Sequence, residues 1–297
     1  KTIPVDVEPR EYHLLLDRLK QEARAAGMLD HPNIVRAYDV DQQTDRDTTI
    51  HFLVMEYVEG ADLQDLVQKN GPLSFLDACE YIRQAALGLQ HAHTAGMVHR
   101  DVKPGNLLVD PNGVVKILDL GLARFFTGDD GEDALTIRHD EKVLGTADYL
   151  SPEQAQGAQP DPRSDLYSLG VMMYEMVGGR PPYVGDSSLS VAYQHVHAVP
   201  EPLKKLNQFV PLEFEAVVAK CMAKSPDKRY QTGQALIDDL RRVEEGADVQ
   251  ALSTLRGSTQ QEPQTTTAEI PVVSPQIPDQ PTTEFDVLDR SARRTAQ

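Results

Sequence analysis

Residues 99–124 read HRDVKPGNLLVDPNGVVKILDLGLAR, and this stretch decides how the rest of the chain is interpreted. Asp101, Lys103 and Asn106 lie in one short loop, and Asp119 follows a predicted hairpin that folds back beside them. Chance rarely combines these residue types at these spacings. The stretch therefore predicts a single site for a phosphate group and a metal ion.

Each of these side chains has a chemical task in phosphoryl transfer. Oxygen ligands from two segments, Asn106 and Asp119, suit Mg²⁺, which takes few protein ligands and completes its shell with water and phosphate. Lys103 can neutralise charge on a transferring phosphoryl group, and Asp101 can accept or orient the proton of an attacking hydroxyl. The pattern predicts a reaction in which positioning and electrostatics supply nearly all of the catalysis.

The composition limits the kinds of partner that the chain can have. The chain has 297 residues and a formal net charge of −17, so we expect no nucleic-acid partner and no broad basic face for anionic lipid. Cys79 and Cys221 lie far apart without metal-binding spacing, which fits a reducing, cytoplasmic location. No apolar run reaches the roughly 18 residues of a membrane span.

The composition changes near residue 245. Up to Glu245 the chain is patterned like a globular protein, whereas residues 246–297 are rich in Gln, Thr, Pro and Ser. Such a segment buries too little apolar surface to offset the entropy of ordering it. We therefore predict a disordered tail or linker over 246–297, with a cryptic binding peptide as the alternative.

Hydrophobic periodicity predicts a small β-rich part followed by helices. Two β-like runs, 34–40 and 50–55, are joined by a charged loop at 41–47 in the manner of a hairpin. A helix is predicted over 74–93, where Ser74 can cap the first turn. Further helical patterns cover 166–177, 187–197, 211–223 and 231–244. This order is typical of an α+β fold with two lobes.

The first helical pattern, residues 11–28, carries a carboxylate on its apolar face. Glu22 lies in line with Leu15, Leu19 and Ala26 at helical spacing. A carboxylate that faces inward needs a cationic partner, unless it lies at the edge of the helix and reaches water. On the residues alone, both interpretations stay open.

Three segments together resemble the protein kinase family, in particular bacterial serine/threonine kinases of eukaryotic type. Residues 99–106 resemble the catalytic loop, residues 119–121 (Asp-Leu-Gly) the Asp-Phe-Gly element, and residues 151–153 (Ser-Pro-Glu) the Ala-Pro-Glu element. Their order and separations agree with the family over roughly residues 1–244.

The resemblance implies a two-lobed protein-kinase-like fold. Residues 1–60 would form an incomplete, small β-rich N-lobe up to the hinge, and residues 61–245 a mainly helical C-lobe. Asp165 resembles the aspartate that opens the central helix of the family. Arg229 resembles the late arginine that pairs with the glutamate of the Ala-Pro-Glu element, here Glu153.

For this family the resemblance implies ATP and Mg²⁺ as cofactors. The backbone at Glu56 and Val58, in the segment that resembles the hinge, would bind adenine, and Asp62 would reach the ribose. The residues expected at the phosphates and the metal are Lys103, Asn106 and Asp119.

In the family, a lysine pairs with the helix glutamate and holds the α- and β-phosphates. Lys1 lies 21 positions before Glu22, so the resemblance implies that Lys1 is this lysine; an ordinary charged terminal residue is the alternative. The glycine-rich loop expected before Lys1 is not in the sequence. We expect a fragment of a longer gene product, and the alternative is a catalytically inactive, kinase-like scaffold.

The resemblance implies protein substrates with serine or threonine hydroxyls. Lys103 is typical of serine/threonine kinases, and Thr146 resembles the threonine that contacts the catalytic aspartate and lysine. Arg100, beside the catalytic aspartate, suggests control by phosphorylation of the activation loop. Thr136 is the first candidate for that phosphorylation and Thr127 the second, with self-association allowing autophosphorylation in trans.

Two alternatives accompany this interpretation. A small-molecule phosphotransferase would share some of these residues, but the segment 146–153 argues against it because that segment resembles a peptide-docking platform. Many members of the family carry a membrane span beyond a Pro/Thr-rich linker. We therefore expect a cytoplasmic location for these residues, with a membrane anchor past residue 297 as an open alternative for the full-length protein.

Overall fold

The computed structural model describes residue 20 and residues 27–45, 48–120 and 147–253. It has a small part with antiparallel strands and a larger helical part, so the predicted α+β class with two lobes is confirmed. A helix is predicted over residues 11–28. Among the described residues of this range, Lys20 and Gly27 are helical.

Two strands form a hairpin that leads into the segment predicted as the hinge. Strands β1 (Ala37–Asp45) and β2 (Thr48–Met55) pair antiparallel. The loop predicted over 41–47 is wrong for residues 41–45, because the ladder continues through this charged stretch. Cross-strand pairs of exposed polar residues support it, and the hydroxyls of Thr44 and Thr49 lie 3.0 Å apart.

Three short strands form a second antiparallel sheet in the order β3–β4–β5. They are β3 (Ala61–Asp62), β4 (Leu107–Val109) and β5 (Val115–Ile117). The hairpin predicted around residues 110–113 is confirmed as the β4–β5 connection. The Val35 N–H donates to the carbonyl oxygen of Ile117 at 2.9 Å, which joins the segment before β1 to this sheet.

Gly60 lies where the chain passes close to strand β4. Its φ is +146°, and a Cβ atom there would lie 2.0 Å from the carbonyl oxygen of Val109. Only glycine fits so close a backbone approach. The connection from β2 to β3, which contains the predicted hinge, is therefore held against the hairpin that leads to Asp119.

The helical part follows the predicted order. The helices among the described residues are α1 (Leu63–Asn70), α2 (Phe75–Thr94), α3 (Pro152–Ala155), α4 (Pro162–Gly178), α5 (Ser188–His197), α6 (Leu203–Leu206), α7 (Leu212–Cys221) and α8 (Gly233–Glu244). The five helices predicted from residue 74 onward are confirmed as α2, α4, α5, α7 and α8.

Helices α2 and α4 form the centre of the core. The Ser74 hydroxyl accepts a hydrogen bond from the Asp77 N–H at 3.1 Å, as the capping pattern predicts. Helix α4 packs against both α2 and α7, and it is buried on nearly all sides. Because neighbours enclose it, α4 provides a fixed support for the loop that contains Asp101.

The packed domain continues past residue 245. Val249 and Ala251 are buried, and the N–H groups of Gln250 and Ala251 donate to the buried carboxylate of Asp239 on α8 at 2.9 and 3.0 Å. The tail predicted over 246–297 therefore begins too early, because apolar burial and a buried acceptor hold residues 249–251. Residues 254–297 lie outside the described residues.

An ion pair fastens α3 to the helical part. The buried Arg229 guanidinium donates to both carboxylate oxygens of Glu153 at 2.7 Å each. It also donates to three backbone carbonyl oxygens, those of Arg163, Ala223 and Lys224. The guanidinium is thus well satisfied, and the pairing that the resemblance implied is present.

This ion pair links stability to pH. Burial alone would raise the pKa of Glu153, but hydrogen bonds from Arg229 and Ser164 outweigh burial and lower this pKa. A carboxyl group with a lowered pKa in the folded state stabilises the fold above its unfolded pKa of about 4.3. That contribution is lost as the pH falls through the folded-state pKa.

We predict that Glu153→Gln lowers the free energy of unfolding at pH 7 by about 3 kcal/mol, because it leaves a buried guanidinium without its counter-charge. The stability lost between pH 7 and about pH 3 should also become smaller, because the contribution of Glu153 is lost mainly below its unfolded pKa. Chemical denaturation of both proteins at the two pH values measures both effects.

The matched control is Glu201→Gln, which removes the partner of Arg180 from a half-exposed ion pair. It should cost less than about 1 kcal/mol. Equal losses in the two variants, or an unchanged acid dependence in Glu153→Gln, would contradict the role of the buried pair.

Candidate active site

The carboxylate of Asp101 forms hydrogen bonds with two other residues of its loop. Asp101 Oδ2 accepts hydrogen bonds from Lys103 Nζ at 2.7 Å and from Asn106 Nδ2 at 3.1 Å. Asn106 Nδ2 also donates to the backbone carbonyl oxygen of Asp101 at 2.7 Å. A 3₁₀ turn over Pro104–Asn106 brings the amide back toward Asp101. Three of the residues predicted for the site therefore contact one another.

Asp119 is tied to this loop through its neighbour Leu118. The Leu118 N–H donates to the carbonyl oxygen of Asn106 at 2.8 Å, and His99 Nε2 lies 2.9 Å from the carbonyl oxygen of Leu118. Asp119 itself has a φ of +62°, in the left-handed region that Asp and Asn tolerate best. The backbone at Asp119 therefore has a conformation that few other non-glycine residues would adopt.

His99 joins the two segments. Its Nδ1 accepts a hydrogen bond from the Asp101 N–H at 3.3 Å. Nδ1 must then be unprotonated, so Nε2 carries the proton and donates to the carbonyl oxygen of Leu118. A buried imidazole therefore links the backbone of Asp101 to the residue before Asp119.

The carboxylate of Asp165, at the start of α4, supports the loop from beneath. Its oxygens accept hydrogen bonds from the N–H groups of His99 at 2.9 Å and Arg100 at 2.8 Å. His93 Nε2 on α2 lies 2.7 Å from the same carboxylate. Asp165 is 1% exposed, so these donors compensate for the burial of its polar group.

Nothing in the sequence marks His93 as part of this support. The residue lies in the last turn of α2, and nothing in its local pattern distinguishes it from a helix-terminal histidine. Its partner is 72 positions away, a separation at which no sequence period applies. Helix packing creates this contact.

The segment predicted as the hinge contacts Arg36 and Lys116 through Glu56, whose carboxylate accepts a hydrogen bond from the Arg36 N–H at 3.2 Å. The Glu56 N–H donates to the carbonyl oxygen of Arg36 at 2.9 Å, and its carboxylate lies 2.9 Å from Lys116 Nζ on β5. The hydrogen bond from Lys116 lowers the pKa of Glu56. Among the described residues, none forms a hydrogen bond with the carbonyl oxygen of Glu56 or the N–H of Val58.

Asp62 follows this segment as the N-cap of α1. Its Oδ1 accepts a hydrogen bond from the Asp65 N–H at 2.8 Å. One carboxylate oxygen is therefore engaged by the helix, which fixes the direction of the side chain.

Several predicted site residues lie outside the described residues. They are Lys1, Glu22, Thr127, Thr136 and Thr146.

The side-chain oxygen atoms of Asn106 and Asp119 are of the kind that binds a magnesium ion. Asn106 Nδ2 is occupied by Asp101, whereas no hydrogen bond from the described residues reaches its Oδ1. An amide oxygen and the carboxylate of Asp119 are the hard oxygen ligands that Mg²⁺ prefers. Within the described ranges, no group of three His, Cys, Asp or Glu side chains could hold a metal.

No helix among the described residues is long and apolar enough to cross a membrane.

Comparison with known proteins identifies relatives of this chain. The serine/threonine-protein kinase PknB of Mycobacterium leprae is 41% identical over 238 residues, which cover 80% of this chain and 38% of that protein. PknB of Mycolicibacterium smegmatis is 44% identical over 229 residues, 77% of this chain and 36% of that protein.

A probable serine/threonine-protein kinase of Clostridium perfringens is 41% identical over 261 residues, 88% of this chain and 36% of that protein. The chain thus spans well under half the length of these curated relatives. Residues 1–240 match the family model described as protein kinase domain, and the chain belongs to the protein kinase family.

Proposed function

We propose that the chain carries the catalytic part of a protein serine/threonine kinase that uses ATP and Mg²⁺. The observation that carries this proposal is the carboxylate of Asp101, which contacts both Lys103 and Asn106 within one loop. Membership of the protein kinase family and relatives named as serine/threonine kinases support it.

In the proposed reaction, Asp101 orients the hydroxyl group of the substrate and accepts its proton. Lys103 lies 2.7 Å from the Asp101 carboxylate, so its charge is next to the point where the hydroxyl would attack. Both side chains are 29% exposed, which leaves them accessible to a substrate. A fixed ammonium group there would stabilise negative charge on the transferring phosphoryl group.

Asn106 and Asp119 would hold the metal, which supplies neutralisation of phosphate charge when it is bound. The backbone of Glu56 and Val58 would bind the adenine, and Asp62 would bind the ribose. Lys1 and Glu22 would form the ion pair that holds the α- and β-phosphates.

We further propose that the substrates are proteins. Thr146 would contact Asp101 and Lys103 in the manner of serine/threonine kinases. Autophosphorylation in trans at Thr136, or at Thr127, would regulate activity, with Arg100 near the phosphate.

Replacing Asp101 by Asn in the full gene product should lower autophosphorylation by at least about a hundredfold, because the amide cannot accept the hydroxyl proton. Transfer of labelled phosphate from Mg-ATP measures the effect. The exposed variant Asp248→Asn serves as control and should label like wild type. Equal labelling of wild type and Asp101→Asn would favour a non-catalytic scaffold.

The Asn106→Ala variant should raise the Mg²⁺ concentration needed for half-maximal activity by about tenfold or more, since it removes a proposed ligand. A Mg²⁺ titration at saturating ATP measures this shift. Asn112→Ala, in the exposed β4–β5 turn, should leave the Mg²⁺ requirement unchanged. An unaltered requirement in Asn106→Ala would refute the metal assignment.

A further inference from the structure

The peptide bond between Arg100 and Asp101 is held at both of its polar ends. Its N–H, from Asp101, donates to His99 Nδ1 at 3.3 Å. Its carbonyl oxygen, from Arg100, accepts from Gln154 Nε2 at 2.8 Å. This peptide plane sets the direction in which the Asp101 side chain leaves the backbone, so both contacts bear on the position of its carboxylate.

Arg100 occupies an unfavourable conformation next to this peptide. Its φ is +71°, in the left-handed region, which is unfavourable for a non-glycine residue. Such a conformation persists only where surrounding contacts enforce it. Two contacts do so here, since the N–H of Arg100 donates to Asp165 and its carbonyl oxygen accepts from Gln154.

The orientation of the Gln154 amide follows from its partners. Gln154 Oε1 accepts from the N–H of Ser151 at 3.1 Å and from the Ser151 hydroxyl at 2.9 Å. A backbone N–H can only donate and the carbonyl oxygen of Arg100 can only accept. The amide nitrogen must therefore point to Arg100.

Gln154 belongs to α3, which the Glu153–Arg229 ion pair fastens to the helical part. One end of its amide completes the capping box with Ser151, and the other end reaches the loop that contains Asp101. The two contacts connect the segment at 151–155 to the backbone beside the proposed catalytic carboxylate.

We propose that Gln154 is a positioning residue, which couples the docking of α3 to the orientation of Asp101. This inference rests on the proposed function and deepens it. When α3 is docked, its amide holds the carbonyl oxygen of Arg100 and thereby the following peptide plane. When α3 is displaced, the loop keeps its hydrogen bond from the Arg100 N–H to Asp165 but loses the hydrogen bond from Gln154 to the Arg100 carbonyl oxygen.

Two variants of similar size separate positioning from capping. Gln154→Glu keeps an acceptor for Ser151, as a capping box allows, but at pH 8 it cannot donate to Arg100. Gln154→Met removes both contacts without adding charge. We expect both to lower kcat by about tenfold, the effect of one hydrogen bond, with the KM for ATP little changed.

The control for added charge is Gln159→Glu, on an exposed glutamine nearby, which should match wild type. All proteins are assayed as full-length chains with Mg-ATP, and their melting temperatures are compared. Hydrogen exchange of the Asp101 amide gives a readout that does not depend on catalysis, and it should accelerate in both Gln154 variants.

The outcomes separate the interpretations. If Gln154→Met lowers kcat but Gln154→Glu does not, the residue only caps α3 and the inference is wrong. If only Gln154→Glu lowers kcat, the added charge is the cause and the inference is also wrong. If wild type shows no transfer that depends on Asp101, the proposed function fails and this inference fails with it.

Discussion

The buried carboxylate of Asp165 is the group on which the geometry of the site depends. It lies at the start of a helix that packed neighbours enclose, so its own position is fixed. Burial of a carboxylate is costly unless donors surround it, and the backbone of the loop provides two of these donors. The need to satisfy Asp165 therefore holds the loop in one conformation, including the left-handed Arg100.

Besides Asp165, two other side chains hold the site in place through hydrogen bonds to backbone groups. His99 connects the loop to the residue before Asp119, and Gln154 connects it to α3. The side chains proposed for catalysis thus depend on three separate parts of the chain. Two residues have left-handed backbones, Arg100 in the loop and Asp119 after the hairpin. Both conformations are stable here because neighbouring polar groups have partners in rigid elements.

Local patterns predicted much of this architecture. Capping at Ser74 and apolar periodicity identified the helices, and the turn at 110–113 identified the hairpin beside the site. The residues of the loop were found because their chemistry occurs within a few positions. By contrast, the contacts of His93 with Asp165 and of Lys116 with Glu56 join residues 60 or more positions apart.

Other features could not be predicted from local sequence patterns because they depend on contacts between distant segments. The second half of β1, residues 41–45, is polar and has no apolar alternation. It is a strand because its backbone pairs with β2. Residues 249–251 lie in the segment predicted as the tail, but Asp239 on α8 accepts the N–H groups of Gln250 and Ala251. Gln154 carried a usable signal, since a glutamine three positions after Ser151 is typical of a capping box. Its contact with Arg100 still required the fold.

We propose that Asp101, Asn106 and Asp119 form one site for a nucleotide and its metal. A crystal structure of the full-length protein with Mg²⁺ and a non-hydrolysable ATP analogue tests it most directly. We expect Mg²⁺ at about 2.1 Å from Asn106 Oδ1 and from an Asp119 oxygen, with the terminal phosphate facing Asp101. A metal held by other residues, or a nucleotide bound away from this loop, would contradict it.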